Sequence, residues 1–150
     1  MSGLQAVAGA DPRQIFSQVP FMAWLQMRRE FSEAGRARLS IDAREELGNV
    51  IGAVHGGVVV TLLDVAMASA AVSYRDFQCT AVTLNLNTSF IEPGRGRLVC
   101  DGEWLASDDQ VATCRAVVTD ADGRVVARGQ GTFRYLPLPA GTAPSVAPLR

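Results

Sequence analysis

One carboxylate lies in the middle of the most apolar stretch of this chain. Between Val58 and Val72 only Thr61, Asp64 and Ser69 are polar. An ionised carboxylate in such surroundings must be hydrogen-bonded, paired with a cation or used in chemistry. No Lys or Arg stands three or four residues from Asp64, where a helix would bring it alongside. We therefore expect a buried acid that either bonds to a neighbouring loop or acts on a substrate.

A glycine pair opens the same stretch. Gly56 and Gly57 precede an apolar run of helical length, and free backbone N–H groups at a helix N-terminus form a binding site for anions. Glycine also lets a ligand approach the backbone closely. Such donors, together with a carboxylate, suit the hydrolysis of an acyl group, which needs both an oxyanion site and a general base.

The spacing of Gly57 and Asp64 sets a geometric condition. Residues seven apart share a face of a helix and lie about 10 Å apart along its axis. One acyl carbonyl cannot contact both ends of that interval. If both residues act on one substrate, a second copy of the helix must supply one of them, most simply across a two-fold axis. The spacing therefore predicts a site shared between subunits.

The remaining pattern predicts the elements that position these residues. We expect a broken helix from Asp11-Pro12, a loop over 44–54, one long apolar helix that ends near Asp76, and a set of strands. The predicted strands are 27–33, 36–43, 80–91, 97–106, 111–119 and 125–133, with the last four arranged as a meander. This order predicts an α+β fold with an antiparallel sheet against one helix. Residues 1–134 would form a single domain and 135–150, which contain four prolines, a flexible tail.

Composition excludes several classes of function. The net charge of −1 argues against nucleic-acid binding. The single histidine and the three widely spaced cysteines argue against a metal site and against Ser or Cys nucleophiles that need a histidine partner. The central helix is unlike a membrane span, because an aspartate near the middle of a span costs about 2.5–3.5 kcal/mol. No signal-peptide pattern is visible, so we expect a cytoplasmic protein without cofactors.

A set of residues around the glycine pair resembles the hot-dog-fold thioesterases of the phenylacetic-acid-degradation type. The set is Asn49, Gly52, His55-Gly56-Gly57, Leu62 and Asp64, followed by Thr83-Leu84-Asn85-Leu86-Asn87. The similarity extends over about Phe21 to Phe133. It implies a hot-dog fold, in which a curved antiparallel sheet wraps one long helix. It also implies a homodimer or homotetramer with shared active sites that hydrolyse acyl-coenzyme A.

The resemblance further implies roles for individual residues. Asp64 would be the general base or nucleophile, and the N–H of Gly57 the oxyanion donor beside Gly56 in the substrate site. Asn49 and His55 would be polar supports near the carbonyl. Thr83 would match the hydroxyl residue that helps to hold the water.

The sequence departs from the family at the expected coenzyme site. Acidic residues stand where many members carry basic ones, namely Glu92, Asp108 and Asp109. Because negative groups repel phosphate, three explanations stay open. Another arginine contacts the phosphates (Arg75, Arg95 or Arg97, of which we favour Arg95), the coenzyme lies differently, or the thiol carrier is a different one.

Two further alternatives stay open at this point. Asn49 and His55 could hold the loop before the helix rather than contact substrate. The chain could also be a non-catalytic module that binds acyl-coenzyme A as a sensor or carrier. Asp64 favours an enzyme, because a pure binder does not need an acid beside the thioester carbonyl.

Overall fold

The computed structural model describes Val7 and residues 11–142. The helical elements are a 3₁₀ turn Ile15–Gln18, α1 Pro20–Leu25, a 3₁₀ turn Glu45–Leu47 and the long helix α2 Gly56–Tyr74. The strands are β1 Arg28–Glu33, β2 Arg36–Asp42, β3 Thr80–Phe90, β4 Arg97–Ser107, β5 Val111–Thr119 and β6 Val125–Leu136. The predicted α+β fold is confirmed. The lead-in expected at the N-terminus, apart from Val7, and the tail beyond residue 142 lie outside the described residues.

The six strands form one antiparallel sheet in the order β1-β2-β4-β5-β6-β3. The predicted meander is confirmed for β4, β5 and β6, which pair in chain order, but it was wrong for β3, which pairs with β6 and not with β4. A meander would need a tight turn between β3 and β4. Instead the connection runs past the segment that leads into α2, where the Gly94 carbonyl accepts a hydrogen bond from the Val54 N–H at 2.8 Å. β3 is consequently an edge strand.

Helix α2 packs one face against the sheet. Its buried residues there include Leu62, Leu63, Ala66 and Met67, all 0% exposed. The approach is close at Gly102 on β4, where an added Cβ would lie 2.4 Å from the Ala66 carbonyl oxygen. A side chain at that position would therefore push the helix away from the sheet.

The opposite face of α2 carries the residues predicted to do chemistry. Gly57 is exposed, and Thr61, Asp64 and Ala68 are part-exposed. The expectation of a buried acid was therefore wrong for the single chain. An apolar composition all round a helix indicates cover on all sides, yet this sheet covers one side. The helix is long and apolar enough to span a membrane, but half of the relevant window is already buried inside the protein.

Candidate active site

Asp64 is held by a hydroxyl from the edge strand. Thr83 Oγ1 donates a hydrogen bond of 2.6 Å to Asp64 Oδ1. A hydrogen bond of this length to a carboxylate is of the strong, charge-assisted kind. It orients the carboxyl group and leaves Oδ2 for a water or a substrate.

An irregularity in β3 lies beside this contact. The register between β3 and β6 shifts between Thr83 and Asn85, so that Leu84 is an extra residue in the strand. Leu84 is 56% exposed. Bulges of this type redirect side chains and are common next to active sites. The shift coincides with the position at which the Thr83 hydroxyl meets α2.

A cavity of about 590 Å³ opens beside the carboxylate. Its walls come from α2, β3 and the N-terminal helices, and they are mostly apolar, with Val65, Ala68, Phe16 and Met22 among them. Pockets of about 300–1,000 Å³ with apolar walls and few polar groups are typical of small-molecule sites. Asp64 and Thr83 both line this cavity, so an acyl group within it would lie next to the acid.

The N-terminus of α2 is capped by His55. Its Nδ1 accepts a hydrogen bond of 2.9 Å from the Gly57 N–H, which places the ring proton on Nε2. The N–H predicted to bind an oxyanion is therefore occupied in this conformation. The N–H of Gly56 donates to no acceptor within the described part of the chain. Both glycines are closely packed. A Cβ on Gly57 would lie 3.1 Å from His55 Nδ1, and a Cβ on Gly56 would lie 3.3 Å from the Phe90 ring.

Asn49 holds the loop that leads into the helix. Its Oδ1 accepts hydrogen bonds from the N–H groups of Ile51 and Ala53, at 3.1 and 3.0 Å. Asn49 thus has the loop-holding role that was one of the two alternatives left open by the sequence. Only the oxygen of its side-chain amide takes part in these hydrogen bonds. The amide nitrogen has no protein acceptor among the described residues.

Arg95 also contacts this loop. Its Nη1 donates a 2.6 Å hydrogen bond to the Gly52 carbonyl oxygen, and it has no ion-pair partner among the described residues. The two other arginines considered for phosphate binding are engaged with acids. Arg97 pairs with Glu30 at 2.5 Å, and Arg75 lies 4.0 Å from Asp109. Of the three, Arg95 is the one without an ion pair among the described residues, although it lines a groove with Glu92, Asp120 and Asp122.

Asp108, which was expected to repel phosphate, stabilises the turn between β4 and β5 through its side chain. Its Oδ1 accepts hydrogen bonds of 2.7 Å from the N–H groups of both Gln110 and Val111. The bond from Val111, followed by that from Gln110, lowers the pKa of this carboxyl group. The carboxylate therefore stays ionised to a lower pH than an ordinary aspartate does, and the negative charge expected to disfavour phosphate is present.

The structure joins the predicted residues in two groups within one chain. Asp64 and Thr83 meet at the cavity. Asn49, His55, Gly56, Gly57 and Arg95 belong to the N-terminal end of α2 and its loop. From the helical rise, Gly57 and Asp64 are about 10 Å apart along the axis. Sequence reasoning did not identify Arg29 or Phe77 in the cavity wall. An arginine in the run Arg28-Arg29-Glu30 reads as part of a solvated strand face, so no local signal distinguished it.

Comparisons with known proteins identify relatives of this chain in sequence and in fold. The family model described as "Thioesterase superfamily" matches residues 51–127. A curated protein of Halobacterium salinarum, named "Putative esterase", is 32% identical over 124 residues, which cover 75% of this chain and 82% of the relative. The crystal structure of a thioesterase family protein from Silicibacter pomeroyi matches with a TM-score of 0.79 and 26% identity, covering 85% of this chain and 96% of that one. The E. coli PaaI protein from the phenylacetic acid degradation operon shares the fold, with a TM-score of 0.73 at 17% identity over 83% of this chain and 94% of that one.

Proposed function

This chain belongs to the thioesterase superfamily, and from that premise we propose that it is a cytoplasmic hydrolase of acyl or arylacyl thioesters, above all those of coenzyme A. The products are a free acid and a thiol. The observation that carries the proposal is the Asp64 carboxylate, held by Thr83 at 2.6 Å beside an apolar cavity of about 590 Å³. An acid held in the wall of an apolar pocket can act there as the general base or the nucleophile of acyl hydrolysis.

In the proposed reaction Asp64 Oδ2 either takes a proton from the attacking water and returns it to the departing thiolate, or attacks the thioester carbonyl itself. The second route breaks the C–S bond, releases the thiolate and forms an anhydride, which water then hydrolyses to the free acid and the Asp64 carboxylate. Thr83 keeps the carboxylate turned toward the acyl cavity in both routes and helps to hold the water. The charge that develops on the carbonyl oxygen is stabilised by backbone N–H groups at the N-terminus of α2. Gly56 N–H is available for this role as the structure stands, and Gly57 N–H becomes available when the His55 ring turns away.

The donor and the acid of one site come from different subunits in this proposal. Two features support a homodimer or a homotetramer built from such dimers. The interval of about 10 Å between Gly57 and Asp64 exceeds the reach of one carbonyl. In addition, β3 is an edge strand of 11 residues with Leu84 56% and Phe90 58% exposed, and a long edge strand that exposes apolar side chains is normally covered. Asn49, His55 and Arg95 then lie on the subunit that supplies the donor, where Arg95 contacts coenzyme phosphate.

A non-catalytic module that binds acyl-coenzyme A is the second candidate. It would need the cavity but not the oriented acid. The two are separated by incubating the protein with a panel of acyl and arylacyl-coenzyme A compounds and detecting released thiol with a thiol reagent. Release with multiple turnovers per chain supports the enzyme. Binding of the same compounds without release would contradict it.

A further inference from the structure

Arg29 is a part-buried cation without an anionic partner. It lies on β1 and donates from Nη2 to the Arg13 carbonyl oxygen. Its guanidinium carbon lies 5.1 Å from the centre of the Phe16 ring and 5.6 Å from that of Phe77. Within the described residues no carboxylate lies within 4.0 Å of it, although the adjacent Arg28 pairs with Asp42 at 2.6 Å. Burial lowers the pKa of the Arg29 guanidinium, as expected for a cation that has lost water and gained no counter-ion.

Arg29 and Asp64 line the same cavity. They are its two charged residues within the described part of the chain. Phe77, which contacts Arg29, donates its N–H to the Val72 carbonyl at 3.1 Å. Arg29 therefore lies at the Val72 end of the helix face that begins at Asp64. Asp64 and Val72 are eight residues apart on α2, which corresponds to about 12 Å along the helix axis at 1.5 Å per residue.

The surroundings of Arg29 favour an anion on the cavity side. Acids do line the outer groove on its other side, namely Glu30, Glu33 and Asp76. Glu30 forms an ion pair with Arg97 at 2.5 Å. Among the described residues, Glu33 and Asp76 lie more than 4.0 Å from the Arg29 guanidinium. A carboxylate that entered the cavity could accept the charge-assisted hydrogen bonds that Arg29 lacks, in the planar geometry that arginine presents.

We propose that Arg29 binds a carboxylate at the far end of the acyl group, so that this chain acts on thioesters of medium-chain dicarboxylic acids. The inference rests on the proposed function, because it places the thioester at Asp64. An extended chain advances about 1.2 Å per bond, a third of the 3.6 Å that one extended residue covers. The interval of about 12 Å along the helix axis is an upper limit for the acyl group, because a contact of about 3 Å at each end takes up part of it. The acyl group itself then spans about five to ten bonds, and the carboxyl carbons of octanedioic and decanedioic acid, about seven and nine bonds apart, fall within this range.

The test compares substrates that differ in the terminal carboxylate. We expect wild-type kcat/KM for octanedioyl-coenzyme A to exceed that for octanoyl-coenzyme A by about tenfold or more, as one charge-assisted contact provides. Arg29→Met should reduce this ratio to about one, whatever its effect on octanoyl hydrolysis alone. Arg29→Lys, which keeps the charge, should retain part of the preference. Arg36→Met is the matched control, since Arg36 is an exposed arginine on the adjacent strand, and its ratio should equal that of wild type.

The outcomes separate the two proposals. Hydrolysis of octanoyl-coenzyme A with no preference for the dicarboxylic substrate overturns the role of Arg29 and leaves the thioesterase standing. Absence of hydrolysis with every thioester overturns the proposed function. In that case calorimetric binding of free octanedioate and octanoate to the wild-type chain decides the role of Arg29, which equal affinities would contradict. The same binding comparison decides it if Arg29→Met does not fold.

Discussion

The hydroxyl of Thr83 lies 2.6 Å from Oδ1 of Asp64 and joins the edge strand to the middle of the central helix. This contact fixes the orientation of Asp64, which lies on the uncovered side of α2. Among the described residues, Asp64 is the one carboxylate that lines the cavity. The contact also explains a threonine that would otherwise read as an ordinary strand residue. The acid and its hydroxyl partner behave as one unit, and each can be tested separately.

Replacing Thr83 by valine keeps the shape of the side chain and removes the donor. A hydrogen bond to a charged group contributes about 1.5–3 kcal/mol to stability, so we expect Tm to fall by several degrees. We expect kcat to fall by about tenfold or more, because Asp64 is no longer oriented. Thr83→Ser keeps the hydroxyl and should retain most of the activity. Steady-state kinetics on both variants checks this, and equal activity of Thr83→Val and wild type would contradict the orienting role.

The two glycines at the start of α2 should respond differently to alanine. In Gly57→Ala the new Cβ would lie 3.1 Å from His55 Nδ1, so it should displace the cap and lower Tm by the loss of about 1 kcal/mol. In Gly56→Ala the Cβ would meet the Phe90 ring at 3.3 Å, beside the N–H proposed to face the carbonyl oxygen. We therefore expect Gly56→Ala to lower kcat by more than Gly57→Ala does.

Tm and kcat measured on the same preparations separate packing from catalysis. A loss of stability with unchanged kcat in both variants would show that the glycine pair serves packing alone. A larger loss of kcat in Gly57→Ala would return the oxyanion role to Gly57, as the sequence first indicated.

The three cysteines should react slowly with thiol reagents in the folded protein. Burial raises the pKa of Cys114 to about 12 and also raises the pKa of Cys100 and of Cys79. Because the thiolate is the reactive form, these groups react more as the pH rises toward the raised pKa. At pH 8 we expect a thiol reagent to modify at most Cys79, which is half-buried, and all three cysteines in denaturant. Rapid labelling of all three in the folded protein would contradict this burial.

Mixed dimers test the sharing of sites between subunits. Asp64→Asn and Gly56→Val chains should each be inactive alone, because one lacks the acid and the other crowds the N–H proposed to face the carbonyl oxygen. After subunit exchange, about half of the dimers are mixed at random pairing, and each has one site with both defects and one with neither. About a quarter of wild-type activity should then return. If each site lay within one chain, every site would keep one defect, and mixing would restore nothing even when exchange is shown to be complete.

Much of the fold was predictable because local patterns specified the elements. Alternation in β2 and the turn Asp120–Gly123 between β5 and β6 both predicted what the structure contains. Strand order was not predictable in the same way. The pairing of β3 with β6 depends on how residues 91–96 pass the start of α2, and such long-range contacts leave no periodic signal.

The sequence singled out Asp64 and Thr83, which the structure brings into contact, but it did not reveal the surroundings of the candidate site. The apolar run around Asp64 indicated a buried acid, but Asp64 is part-exposed in the single chain. A sequence does not reveal which face of a helix a sheet leaves uncovered. Arg29 could not be recognised, since its role depends on two aromatic residues distant in sequence, Phe16 and Phe77. The capping role of His55 likewise depends on the backbone angles at the start of α2.

The central claim is that Asp64 performs thioester hydrolysis, and one substitution tests it most directly. Asp64→Asn is nearly isosteric, can still accept the hydrogen bond from Thr83, and should leave Tm close to that of wild type. With an acyl-coenzyme A that the wild type cleaves, we predict that kcat falls by at least about a hundredfold, as expected for the loss of a general base. A folded Asp64→Asn protein whose kcat stays within about tenfold of wild type would contradict the account.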